Sequence, residues 1–431
     1  MRLGDCMSTL DYPKDNLKIL GNLFKHYRIK RGYSLRGVAR SVNVSHTVIS
    51  DIENCKICPN VNTLQMLYRT VGLTLEISPE TIRERKAVLQ RLYDAIYFQR
   101  NDSIDALFSE MKKHTHSYLF SPLRVEYMLA TDAYRTVMGK RNAGRVLTDL
   151  EHFYDSLSTF QKQTLNTVKG IAFFLERRYT DALNSLKEAV SFHSSKKVEA
   201  VALSYLAYTY DALYLFHRSL HTSKEAAKAH SRLMSPIRKI HVDFLTVKSL
   251  IDLKKLEEAE KHLQSLGQVV HQPEYNTINT KDNFSILRAY LAFVQRRFTD
   301  TYEHLGKIPV SSALLLFAKA GVAYYMKDNE RLREHIEELE SISSDNAAYY
   351  KAAGALLQDA AGIEQDAKTL ESAANTMLKG QHDSKNIYIH YLLYKLMLGY
   401  FESHKKTNKA LEVMKKHFAF THRRDLDVTL P

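Results

Sequence analysis

The stretch Phe173-Phe174-Leu175-Glu176-Arg177-Arg178-Tyr179-Thr180-Asp181-Ala182-Leu183-Asn184-Ser185-Leu186 returns 119 positions later. There it reads Ala292-Phe293-Val294-Gln295-Arg296-Arg297-Phe298-Thr299-Asp300-Thr301-Tyr302-Glu303-His304-Leu305. Two arginines, an aromatic, threonine and aspartate fall in the same helical frame in both copies. The separation equals three steps of about 40 residues, the length of a repeating helix pair. Small and aromatic residues recur at matching places. One unit contains Gly170, Phe173, Ala182, Leu186 and Ala189, and a second contains Leu203, Leu206, Ala207, Tyr210 and Ala226. Weaker units run through Ala259 and Leu263, through Ala289 and Leu305, and through Phe401, Ala410 and Met414. Small residues let paired helices approach closely, and aromatics fill the gaps between turns.

Helical periodicity extends from this stretch over residues 81–431, although the repeat register is not fixed for residues 81–160. The composition agrees. A chain of 431 residues with only 15 glycines and 8 prolines holds few breakers, which favours helices with short connections. A hydrophobic share of 45%, with 26 Tyr and 18 Phe, is enough for large cores. The spacing of small and aromatic residues resembles the tetratricopeptide repeat. That resemblance implies an all-α protein whose larger part is a right-handed α-solenoid, with an extended concave surface suited to a linear ligand.

Upstream of the repeats the pattern changes. Residues 1–16 show no helical period and read as a flexible arm. Leu20, Phe24 and Tyr27 share one face of a helix expected over Leu17 to Arg31, which Gly32 ends. Ser34 is placed to cap a short helix, Leu35 to Val42. Asn43-Val44 makes a turn, and Ser45 opens a third helix reaching Asn54. After Pro59 and Asn60, the residues Val61, Leu64, Leu67 and Val71 give a fourth amphipathic helix, stopped by Gly72. Pro79 disfavours helix at Ser78, so residues 76–80 read as a linker between a domain at 17–75 and a repeat domain at 81–431.

Segment 20–74 resembles the Cro/repressor (Xre-type) helix-turn-helix family. The residues that carry the resemblance are Arg28, Gly32, Ser34, Val38-Ala39, Val44-Ser45, Ile49-Ser50, Ile52-Glu53-Asn54, Lys56, Pro59, Thr63-Leu64, Leu67 and Gly72-Leu73. In that family the third helix enters the major groove of duplex DNA. Carried over by position, His46, Thr47 and Asp51 are implied base readers. Asp51, an acceptor only, suits a cytosine amino group or is simply a solvated helix residue. Ser45 and Ser50 are placed to meet phosphate or to cap a helix. Asn54 and Lys56 match phosphate-reaching positions, and Arg36 and Arg40 add positive charge. Arg28 and Glu53 match a partly buried structural ion pair. Leu35 departs from the family, which often has glutamine there.

The charge distribution fits a nucleic-acid partner. The chain carries +13, and residues 1–75 alone hold eleven basic against five acidic side chains. Other chemistries find no motif. Cys55-Lys56-Ile57-Cys58 lacks the further close ligands of a zinc site, Cys6 being the only other cysteine, so neither metal nor redox use is expected. There is no phosphate-binding loop, no G-x-G-x-x-G, no H-E-x-x-H and no G-x-S-x-G. The expectation is a non-enzyme without cofactor. No signal peptide and no apolar run of about 18 residues is seen, which points to a cytoplasmic protein without a membrane partner.

An Xre-type domain followed by a long tetratricopeptide-like array resembles, as architecture, the peptide-pheromone receptors of the Rgg, PlcR and PrgX type. The resemblance implies a homodimeric transcription factor whose array binds a short signalling peptide. In the tetratricopeptide frame, set from Gly170, Ala207, Ala259 and Ala289, the groove-facing candidates are Ser204, Tyr208, Asp211, His241, Lys248, Asn283 and Tyr290. Lys248 is placed to meet a peptide carboxylate and Asp211 an amino end. Thr167, Phe174, Phe244 and Phe293 fall in the same frame, where the three phenylalanines either face the groove or fill the core. The alternative is an interaction protein whose array binds and regulates another protein, with DNA binding secondary.

Overall fold

The structure is a computed structural model that describes residues 14–139, 150–151, 153–275, 278–309, 312–344, 347–380 and 387–422; Cys6 and most of the expected arm lie outside them. Among the described residues every regular element is helical. The first four helices are α1 (Lys14–Lys30), α2 (Leu35–Val42), α3 (His46–Glu53) and α4 (Val61–Thr70). They are followed by α5 (Pro79–Phe98), α6 (Asn101–Lys113), the short α7 (Thr115–Leu119) and α8 (Arg124–Val137). Next come α9 (Thr159–Leu175), α10 (Tyr179–Ser191), α11 (Lys196–Ala212), α12 (Phe216–Arg232), α13 (Pro236–Asp252) and α14 (Leu256–Val270). The remainder are α15 (Ile278–Val294), α16 (Phe298–Gly306), α17 (Ala313–Met326), α18 (Asn329–Glu340), α19 (Ala347–Ala360), α20 (Ala367–Lys379), α21 (Ile387–Ser403) and α22 (Thr407–His422).

The repeat is written in the turns. A residue with positive φ closes the first helix of each pair: Gln99, Gly139, Arg177, Tyr214, Lys254, Arg296, Lys327, Gly362 and Lys405. At Arg177 its N–H bonds Phe174 O and the next N–H bonds Phe173 O; at Arg296 the same two bonds reach Phe293 and Ala292. This double bond satisfies carbonyls left open at a helix end. Gln99 and Gly139 carry the register back into residues 81–160, where sequence alone left it open.

The same turns explain the sequence echo. Arg178 and Arg297 occupy the cap position, and each holds the aspartate three residues on, Asp181 and Asp300, at 2.7 Å. Tyr179 and Phe298 each pack on an aromatic of the preceding helix, Phe174 and Phe293, with ring centroids 5.7 Å apart. Gly170 permits the close crossing of α9 and α10, since a Cβ there would stand 2.5 Å from Leu186 Cγ.

The described residues form two compact units, one running to Leu206 with Ala229–Arg238 added, the other holding Ala207–Lys228 and the residues from Lys239 onward. In the first unit only the last residues of the expected arm, 14–16, are described, and they are helical, as are the last two of the expected linker, Pro79 and Glu80. Helix α1 begins at Lys14, because Asn16 is buried in polar contacts. Pro79 and Glu80 belong to α5, with Ser78 as its cap, and Glu76 N–H bonds Phe120 O at 2.7 Å. Helix α1 is apolar on two sides. Leu17, Leu20 and Phe24 enter a core with Ile49, Leu64 and Tyr68, while Ile19 and Leu23 pack among residues of α5 and α8. Helix α1 is thus sandwiched between two cores.

Candidate DNA interface and repeat-domain cavities

Local chemistry sets helix α3. Ser34 Oγ accepts from Gly37 N–H at 3.0 Å and starts α2. Asn43, at φ 54°, turns the chain, and Ser45 Oγ accepts from Val48 N–H at 3.2 Å to start α3. Helix α3 sits against α1 because position 21 is glycine: a Cβ there would meet Ile52 Cγ2 at 2.6 Å and Ile52 O at 3.0 Å. Ile49 and Ile52 face the core, so His46 and Thr47 stay exposed at the first turn.

A shallow polar cleft between α2 and α3 is lined by Arg36, Arg40, Asn43, Ser45 and His46. Asn54 Nδ2 donates to Ser50 O at 2.8 Å and its Oδ1 accepts from Lys25 at 3.0 Å. Asp51 stands 3.6 Å from Lys56 Nζ, so the one implied acidic base reader is partly offset by an implied phosphate contact. Behind this face Arg28 grips Glu53 in a bidentate pair, Nε to Oε1 at 2.6 Å and Nη2 to Oε2 at 2.8 Å. Arg28 Nη1 also donates to Tyr33 O at 2.7 Å. The hydrogen bond to Glu53 holds the guanidinium pKa above its ordinary value despite burial.

The peptide-facing candidates fall in several settings: Tyr290 is on a cavity wall, Asn283 is exposed, and others are bonded within the fold. Lys248 Nζ donates to Asp211 at 2.7 Å and to Asp252 at 2.8 Å. Burial opposes the ammonium charge, but the two carboxylates outweigh it and raise the Lys248 pKa. Tyr290 donates its phenol to Asp252. The two side chains assigned to opposite ends of a peptide are therefore bonded to each other, in a buried cluster whose centre, Asp252, the sequence reading omitted. Its signal was the i,i+4 spacing from Lys248. Tyr208 donates to His241 O at 3.1 Å. Ser204 is buried and lies 2.8 Å from His230 Nε2. Asn283 is exposed, Phe244 lies in the core, and Ala259, used to set the frame, is on the second helix of its pair.

Two cavities open among the repeats. One, of about 380 Å³ in the second unit, is mostly apolar and carries Tyr290, Phe293, Tyr325 and Tyr388 on its wall. The other, of about 360 Å³ in the first unit, mixes apolar side chains with Thr136, Thr164, Thr167, Lys197, Tyr205 and Arg238. Among the described residues no helix is long and apolar enough to cross a membrane, and no group of three or more His, Cys, Asp or Glu is placed to hold a metal.

Residues 24–77 match the helix-turn-helix family model, and this segment is a helix-turn-helix domain. A comparison with curated protein sequences gives no match. The chain shares its fold with a Rap protein solved with competence and sporulation factor: 13% identity, TM-score 0.63, covering 80% of this chain and 99% of that one. It is similar to the apo form of the quorum sensor NprR from B. thuringiensis, at 14% identity and TM-score 0.60, covering 79% of this chain and 99% of that one. NprR in complex with its cognate peptide NprX matches at 15% identity and TM-score 0.56, covering 77% of this chain and 99% of that one. The protein is thus all-α, with an N-terminal helix-turn-helix domain on a helical-repeat fold like that of these peptide receptors.

Proposed function

We propose that the protein is a sequence-specific DNA-binding transcriptional regulator, acting in the cytoplasm as a homodimer, whose repeat domain takes a short signalling peptide and thereby changes DNA binding or transcription. The observation that carries the DNA-binding half is α3. Its exposed first turn, with His46 and Thr47, is flanked by Arg36, Arg40 and Lys56 and backed by the buried Arg28–Glu53 pair. Nearby cations supply phosphate contacts, while exposed side chains at the helix start read base edges. The likeness in fold to NprR with its peptide supports the effector half.

Selection of duplexes from a random pool, followed by footprinting, tests this reading. A preferred sequence is expected. His46→Ala and Thr47→Ala relax it by about 1–3 kcal/mol each. Lys56→Ala weakens binding to all duplexes and lowers the salt slope by about one unit. Recovery of no preferred sequence removes the central claim.

A further inference from the structure

The cavity of the second unit is set among α15, α16, α17 and the start of α21. Its volume of about 380 Å³ falls in the range of small-ligand sites. Four rings stand on its wall: Tyr290, Phe293, Tyr325 and Tyr388. They pack on one another, with Phe293 5.4 Å from Tyr325 and 5.7 Å from Tyr388, and Tyr290 5.8 Å from Tyr388, between centroids. Ile286, Leu315 and Ile389 extend the apolar lining. Tyr325 and Ile286 are exposed, so this wall is reached from solvent.

The charge around this space is negative. Among the described residues that line it, the one charged side chain is Asp282. Asp282 is half-buried, and its carboxylate has no hydrogen-bond or ion-pair partner among the described residues. A second negative centre lies behind the wall. Tyr290 donates its phenol to Asp252, which with Asp211 flanks the single ammonium of Lys248. Asp252 accepts at both oxygens, from Tyr290 and from Lys248, as an ionised carboxylate does. Two carboxylates against one ammonium leave one negative charge uncompensated. One cation is close, Lys254, whose Nζ stands 5.8 Å from the Tyr388 centroid; it is exposed and does not line the cavity.

Aromatic faces attract cations, and more strongly where water is excluded. A lone carboxylate on an otherwise apolar wall adds the counter-charge, repels an anion and gives a neutral molecule no ionic partner. We propose that this cavity is a ligand site for an organic cation: an ammonium group on an apolar body, held by Asp282 and the aromatic wall. The proposal deepens the effector reading above and rests on it. The ammonium comes either from the amino end of a peptide or from a small organic amine. Contact with the Tyr290 ring places such a ligand one hydrogen bond from the cluster that ties α11, α13 and α15 together.

The test uses the full-length protein. Three probes with one body and different charge, 3-phenylpropylamine, 3-phenylpropanol and 3-phenylpropionate, are titrated by calorimetry. In parallel, pools of apolar hexapeptides with free or acetylated N-termini are passed over the protein, and retained species are read by mass spectrometry. The amine is expected to bind at least about tenfold more tightly than the alcohol, and the acid least. Asp282 has no partner to lose, so Asp282→Asn folds like the parent; it weakens the amine about tenfold and leaves the alcohol unchanged. Tyr325→Leu keeps the apolar bulk, removes a π face and lowers affinity for the amine more than for the alcohol. Ala318→Phe, on the cavity wall, blocks all binding there. Retention of free-amine peptides, lost on acetylation, assigns the cation to a peptide end; binding of 3-phenylpropylamine with no peptide retained assigns it to a small amine and removes the peptide from the effector reading. Equal affinity for amine and alcohol, no binding in either arm, or parental amine affinity in Asp282→Asn overturns the proposal. Peptides retained equally by the parent and Ala318→Phe sink the cavity and leave the effector reading standing.

Discussion

Arg28 and Glu53 show what single residues contribute behind an exposed recognition face. Glu53 is 1% exposed and Arg28 8%, so either charge left alone is stranded in a site built for two. Arg28→Ala or Glu53→Ala is expected to lose about 3–5 kcal/mol, measured by chemical denaturation, while the base preference of the remaining folded protein is unchanged. Parental stability in both variants contradicts the pairing. His230 makes a second prediction. It is wholly buried between Ser204 and Tyr97, and burial with the nearby Arg238 charge pushes its pKa down to about 4. The unfolded chain binds a proton near pH 6.5 and the folded chain resists it. Stability from this site is therefore fully present above pH 6.5 and is lost as pH falls toward 4, by up to about 3 kcal/mol. Denaturation at pH 7.0, 5.5 and 4.5 checks this; in His230→Gln the slope over that window flattens.

At the scale of elements, the position of α3 depends on how closely α1 approaches it. Gly21→Ala places a methyl group against Ile52 side chain and backbone at once, and backbone cannot swing away. The substitution is expected to cost about 1–3 kcal/mol and to weaken binding to the selected duplex more than it weakens helix content. Circular dichroism with a DNA titration separates the two. Helix α9 shows a different economy. The Gln161 side chain accepts from Ser158 N–H at 3.0 Å as part of a capping box, which fixes its amide so that the other end reaches Asn16. One side chain starts a repeat helix and secures the DNA-binding domain.

For the whole molecule, one small helix-turn-helix domain offers few base contacts, and in the proposed homodimer a second copy would supply the rest. Duplexes carrying two copies of the selected half-site, one helical turn apart or a multiple of it, are expected to bind with a stoichiometry of two chains. Moving one copy by half a turn, about 5 base pairs, should return affinity to the single-site value. Indifference to spacing in a gel-shift titration rules out a fixed dimer on DNA. The docking of α1 between two cores also bears on the proposed effector response, because a domain packed on α8 has to follow any shift in that helix.

Helix type, the caps at Ser34 and Ser45, the turn at Asn43-Val44 and the repeat length near 40 were legible in the sequence. All rest on local backbone chemistry and on side-chain period, which neighbours in the chain determine. The Arg28–Glu53 match was legible too, because it spans few residues in a known frame. What the sequence could not decide was the partner of each buried polar group. Lys248 and Asp211, read as ligand contacts, are bonded to each other across 37 residues, and Tyr290 reaches Asp252, on the helix of Lys248, across 38. Nor did it show that Asn16, at the end of the expected arm, bonds Gln161, or that Glu76, in the expected linker, bonds Phe120, contacts across 145 and 44 residues. Pairing at that distance depends on how helices are packed in space, and periodicity along one helix carries no record of it.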